Sequence, residues 1–140
     1  MKLKKFIPFC FLFIGTLGLP QPSPAEEKIE VVPIIKTSKG LSGKNFNYQE
    51  GKPELRLLKV KIPVGLKTPI HTHPSPMLIH VTRGRLKHVR GEEINFFKAG
   101  DAFVESNNGG AHYVKNIGEK QVILHVGVVS VVGMPMAINN

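Results

Sequence analysis

The chain is 140 residues long and basic, with 19 Lys and Arg against 10 Asp and Glu and a formal net charge of +9 with histidine neutral. That length supports one domain with its own core. A single cysteine, Cys10, excludes a disulfide framework and a zinc-thiolate cluster.

The first feature in chain order is a targeting signal. Met1-Lys2-Leu3-Lys4-Lys5 is a basic start, residues 6–19 form an apolar stretch broken by Pro8 and Gly15, and Ser23-Pro24-Ala25 puts small residues where a signal peptidase needs them. The stretch is short for crossing a bilayer. Residues 1–25 are therefore expected to be a signal peptide cleaved after Ala25. The product is expected to be periplasmic or secreted, with no stable membrane insertion after cleavage. Cys10 leaves with the signal, so the mature 140 − 25 = 115 residues contain no thiol. Losing Lys2, Lys4 and Lys5 lowers the formal charge to 9 − 3 = +6.

The mature chain reads as short strands separated by turn residues. Residues 28–37 are rich in Val and Ile and predict an N-terminal strand. Residues 38–53 are rich in Gly, Asn and Ser and predict a segment that wraps a barrel, giving an N-terminal part over 26–53 and a barrel domain over 54–140. Residues 54–62 are extended, with Leu55, Leu57, Leu58, Val60 and Ile62 as the apolar positions. Further strand signals fall at 77–82, 86–89, 93–98, 102–104, 112–115 and 122–132, and no window of ten or more residues holds a helical period. The fold class is all-β, a sandwich or barrel. Lys59 and Lys61, then Arg83, Arg85 and Lys87, stand two apart, as on the wet face of a strand. No stacking aromatics interleave with them, so nucleic acid is not expected as a partner.

The chemistry concentrates in His71-Thr72-His73. Residues i and i+2 of a strand point to one face, so two imidazoles at this spacing can converge on one ion. A third ligand must then come from a neighbouring strand, and His112 is the candidate.

These residues sit in a longer pattern. Gly65, five residues, His71-Thr72-His73, three residues, Met77, six residues and Gly84 follow the spacing of the first cupin motif, with Met77 where the motif has Glu. Gly100, then Ser106 where the second motif has Pro, Gly109 after one extra residue, His112 and Asn116 follow the second. The chain resembles the small single-domain secreted bacterial cupins of the type-2 barrel. The resemblance implies a single cupin jelly-roll β-barrel after a cleaved signal peptide. It also implies a metal site of His71, His73 and His112, with Met77 as a further candidate ligand.

Without the motif's carboxylate, a three-histidine site suits Fe, Cu, Ni or Zn, while Mn(II) and Mg(II) lose an oxygen they favour. Ligation by the Met77 sulfur would favour Cu(I). Two function classes follow. One is a metal-dependent oxygenase, isomerase or lyase acting on a small oxygen-containing molecule. The other is a non-catalytic periplasmic binder of metal or a small ligand. Cupins commonly dimerise, so a homodimer is among the implied partners. The cupin phase turns Met77, Ile79 and Val81 inward and leaves His80 on the surface. If that phase resumes past Gly84, Leu86 and His88 face inward too. His125, in an apolar run, reads as a core histidine. As an acid or base, Glu105 ends a strand whose phase the sequence leaves open and Tyr113 flanks His112, while Asn116 reads as a turn or supporting residue.

Overall fold

The computed structural model describes residues 27–139, so the expected signal peptide, its cleavage point and Cys10 lie outside the described residues. The chain divides into Met1–Val31 and Val32–Asn140. Of the first unit, the described residues 27–31 carry no strand and are exposed.

All nine strands among the described residues belong to the second unit. They are β1 (Pro53–Ile62), β2 (His71–Thr72), β3 (Met77–Arg83), β4 (Arg85–Arg90), β5 (Glu93–Lys98), β6 (Ala102–Glu105), β7 (Tyr113–Asn116), β8 (Val122–Val131) and β9 (Ile138–Asn139). A four-stranded sheet runs β1-β8-β3-β6, a three-stranded sheet runs β5-β4-β7, and β2 pairs with β9. Every pairing is antiparallel. The described residues contain no helix, and the all-β jelly-roll class holds.

Alternation along the strands builds the core. Ile62, Met77, Ile79, Val81, Phe103, Val122, Leu124, Val126 and Val128 from the larger sheet meet Leu86 and Val114 from the smaller one in a single cluster. Each such side chain stabilises the fold by roughly 1.5–3 kcal/mol through removal of apolar surface from water. The β3-to-β4 turn is made by Gly84 at φ +87, where an added Cβ would lie 2.9 Å from Val122 Cγ2. Only glycine fits that turn without strain.

Two expectations change, those for residues 28–37 and for His125. No strand forms over residues 28–37, whose apolar side chains Ile29, Val31, Val32 and Ile34 are exposed because no neighbouring strand takes up their backbone bonds. Leu55 and Leu57 face outward at 80% exposure, since the phase that buries Ile62 and turns Leu58 and Val60 inward must expose them. His125 is likewise exposed, because burying Leu124 and Val126 puts residue 125 on the outer face, opposite Lys59 and His80.

Candidate metal centre

The three histidines meet through one ladder step. His71 and His112 exchange both backbone N–H···O bonds at 3.0 Å, which makes them a directly opposed pair with side chains on one face. His73, two residues beyond His71, returns to the same face. Ring centroids are 4.8 Å apart for His71–His73, 4.6 Å for His71–His112 and 5.1 Å for His73–His112. One ligand nitrogen from each lies within 4.8 Å of the others.

Backbone carbonyls fix which nitrogen each ring presents. His71 Nδ1 is 2.8 Å from the Pro69 carbonyl, His73 Nδ1 is 2.9 Å from that of Met136, and His112 Nδ1 is 3.2 Å from that of Gly110. A carbonyl only accepts, so all three Nδ1 atoms carry the proton and all three Nε2 lone pairs are free. That arrangement is the tautomer and outer support a bound metal needs. Burial pushes the His73 pKa below its ordinary value and takes His112 down to about 4, so both rings are neutral at physiological pH. The donor set therefore fits a divalent transition metal.

A second cluster adjoins His112. His88 is fully buried, with its ring stacked on that of His112 at 4.6 Å. Its Nε2 is 2.7 Å from Glu105 Oε1, while Arg90 Nη2 is 2.6 Å from Glu105 Oε2. Oε1 also stands 3.8 Å from His112 Nε2. Oε1 is buried with no hydrogen bond beyond the His88 ring contact, and His88 Nδ1 is buried without a partner. Burial alone would raise the Glu105 pKa, but the His88 contact and the electrostatic interactions with His112, His88 and Arg90 outweigh it and hold the carboxyl below its ordinary value.

Other residues fall as follows. Met77 is buried in the apolar core, and its direct partner across the β3–β6 ladder is Glu105. His88 faces inward, so the alternation does resume past Gly84, and His80 lies on the outer face. Asn116 holds the β7-to-β8 turn: its Nδ2 donates to the Ile62 and Lys120 carbonyls at 2.9 Å, and its Oδ1 accepts from Gly118 N. Tyr113 is half-buried under the Lys67 ammonium, 4.9 Å from its ring centre. Sequence reasoning undervalued Glu105. Phe103 is buried two residues earlier, which puts residue 105 on the core face, but Val104 between them is apolar too and the sequence leaves the phase open. A cleft of about 380 Å³, lined by Thr72, His73, Pro74, Ser106–Gly110 and Ile138, opens beside His73.

A family model described as "Cupin domain" matches residues 58–131, which is 74 of 140 positions, and the chain belongs to that family. No curated protein matches the sequence. Among solved structures, the polyketide cyclase RemF from Streptomyces resistomycificus is similar at 18% identity and a TM-score of 0.53, over 64% of this chain and 61% of that one. The cupin domain of Schizosaccharomyces pombe Cnp3 is similar at 20% identity and a TM-score of 0.50, over 61% and 60%. The Lactobacillus farciminis oxalate decarboxylase formate complex is similar at 25% identity and a TM-score of 0.51, over 61% of this chain and 26% of that one. The matched region spans less than two thirds of each of these three proteins.

Proposed function

We propose that this is an exported cupin protein that binds one Fe, Cu, Ni or Zn ion through Nε2 of His71, His73 and His112 and presents it to a small oxygen-containing molecule. The observation that carries the reading is the set of three Nδ1-to-carbonyl hydrogen bonds, which leaves three Nε2 lone pairs facing one another. Burial of His73 and His112 keeps both rings unprotonated, so protons compete poorly for these lone pairs. When bound, such an ion supplies Lewis acidity or a redox centre, the chemistry of oxygenases, isomerases and lyases. The cleft beside His73 admits a small molecule, and Ser106, Asn107 and Asn108 offer it hydrogen bonds. Names of similar structures, a polyketide cyclase and an oxalate decarboxylase, are consistent with a small-molecule enzyme. Binding without turnover is the second reading. It is favoured by Glu105, the carboxylate nearest the trio, being held by Arg90 and His88 and not free as a base.

Element analysis of the protein purified from its own exported fraction tests the site. About one transition-metal ion per chain is expected in the wild type, with most of it lost in each of His71→Ala, His73→Ala and His112→Ala while the β-sheet circular dichroism is unchanged. Full metal content in the three variants would refute it.

A further inference from the structure

We propose that the Glu105 carboxylate is the anionic arm of the metal centre, delivered from β6 to the wall where the cupin pattern would place an acidic residue at position 77. This rests on the reading of His71, His73 and His112 as the metal site. Residues 77 and 105 are direct Cα partners in the β3–β6 ladder. Opposed residues of an antiparallel pair share a face, so a carboxylate lost from residue 77 and one present at residue 105 address the same cavity wall.

Three observations make Glu105 more than a counter-charge for Arg90. First, its Oε1 is buried and has no hydrogen bond beyond the His88 Nε2 contact, which leaves part of its accepting capacity unmatched in a buried site, where that is costly. Second, that atom faces His112 Nε2 at 3.8 Å. His112 Nδ1 holds the proton for Gly110, so Nε2 is a lone pair, and two lone pairs facing each other repel unless a cation lies between them. Two atoms each about 2.1 Å from one ion stand at most about 4.2 Å apart, and the observed separation is inside that limit. Third, Glu105 is braced from behind, as ligating carboxylates are: Arg90 Nη2 holds Oε2 at 2.6 Å and His88 Nε2 contacts Oε1 at 2.7 Å. His88, Glu105 and His112 form one cluster and His71, His73 and His112 another, with His112 common to both. Joining them requires Oε1 to turn toward the three ring nitrogens while Oε2 stays on Arg90.

The consequence is chemical. A carboxylate adds a hard oxygen and a negative charge to three neutral imidazoles, which brings Mn(II) into range alongside the Fe, Cu, Ni and Zn ions that three histidines alone would hold. The test uses the chelator-stripped exported protein, with Mn(II) followed by electron paramagnetic resonance and Zn(II) by competition against a chromophoric chelator. Glu105→Gln is expected to lower Mn(II) affinity ~100-fold or more and Zn(II) affinity ~10-fold or less. Because Gln leaves Arg90 without its buried counter-charge, Glu105→Asp is measured beside it. Asp keeps the charge and retracts it by one methylene, and it is expected to lose most of the Mn(II) preference while melting close to the wild type. An Mn(II)-to-Zn(II) affinity ratio within about threefold of wild type in Glu105→Asp or in folded Glu105→Gln would overturn the proposal. His71→Ala is measured for total ion binding, so failure of the trio shows as metal retained there and failure of Glu105 as an unmoved ratio.

Discussion

Acidification should destabilise the metal-free protein through its histidines before its carboxylates titrate. His112 has an ordinary pKa of 6.5 and is taken to about 4 in the fold, chiefly because burial penalises the charged ring. Between those values the unfolded chain binds a proton that the folded state refuses, so stability falls as pH falls. The difference is 6.5 − 4 = 2.5, and at about 1.4 kcal/mol per unit it corresponds to about 3 kcal/mol. That contribution is complete above pH 6.5 and is lost as pH approaches 4. His73 is shifted the same way by burial and adds to the slope. Glu105 is also depressed, but its contribution is present above its ordinary 4.5 and is lost only below it, so the upper part of the window belongs to the histidines. Urea unfolding of the chelator-treated protein at stepped pH measures the slope. His112→Gln, which cannot titrate, should remove the larger share of it. A wild-type stability that is flat from neutral pH down to 4.5, or a His112→Gln slope equal to wild type, would refute the reasoning.

Gly84→Ala should cost about 2–3 kcal/mol in urea melts, because φ is +87 there and the new Cβ would meet Val122 Cγ2 at 2.9 Å. Met77→Glu should raise affinity for Mn(II) relative to Cu(I) in competition titrations, since it brings a second carboxylate to the wall that Glu105 already shares. Unchanged selectivity would place residue 77 outside ligand range and remove the support for copper. Intact mass of the exported protein should give Glu26 as its first residue, whereas a species retaining residues 1–19 would mean an anchored protein.

The inward and outward faces of the core strands were legible where period two met a strong apolar pattern. In β3, Met77, Ile79 and Val81 are buried and Leu78 and Thr82 exposed, as alternation requires. Past Gly84 the alternation resumes one residue out of step, burying Leu86 and His88 at even positions where β3 buries odd ones, because the register shifts between Val81 and Arg83 before the turn; period two alone does not give that shift. It gave no clear answer where both phases are apolar. Leu57 and Leu58 are adjacent, and only the pairing with β8 decides that Leu58 turns inward. His125 illustrates the same limit: an apolar run of ten residues contains an outward-facing histidine, since β8 is central in its sheet yet has a solvent-facing side.

The histidine trio was legible for a different reason. Its local half, His71 and His73, obeys the strand period, and its distant half needs only that His112 oppose His71, which a two-motif spacing encodes. Glu105 lacked both advantages. Its strand has four residues, Ala102 to Glu105, too few to fix a phase when Phe103 and Val104 are both apolar. Its importance comes from register: it opposes Met77 across one ladder and lies beside His88 and Arg90 of β4, in the other sheet. Those relations are set by how the sheets stack and not by any spacing along the chain. Position 77 and position 105 are therefore best considered together. A thioether at the first is compatible with the apolar core, and the charge the site needs can enter from the second, already oriented by Arg90. Removing that carboxylate would take from Arg90 its closer and buried partner and leave it the half-exposed Glu93 at 3.6 Å. Asp at 105 separates the two roles, because it keeps the charge for Arg90 and withdraws the oxygen from His112.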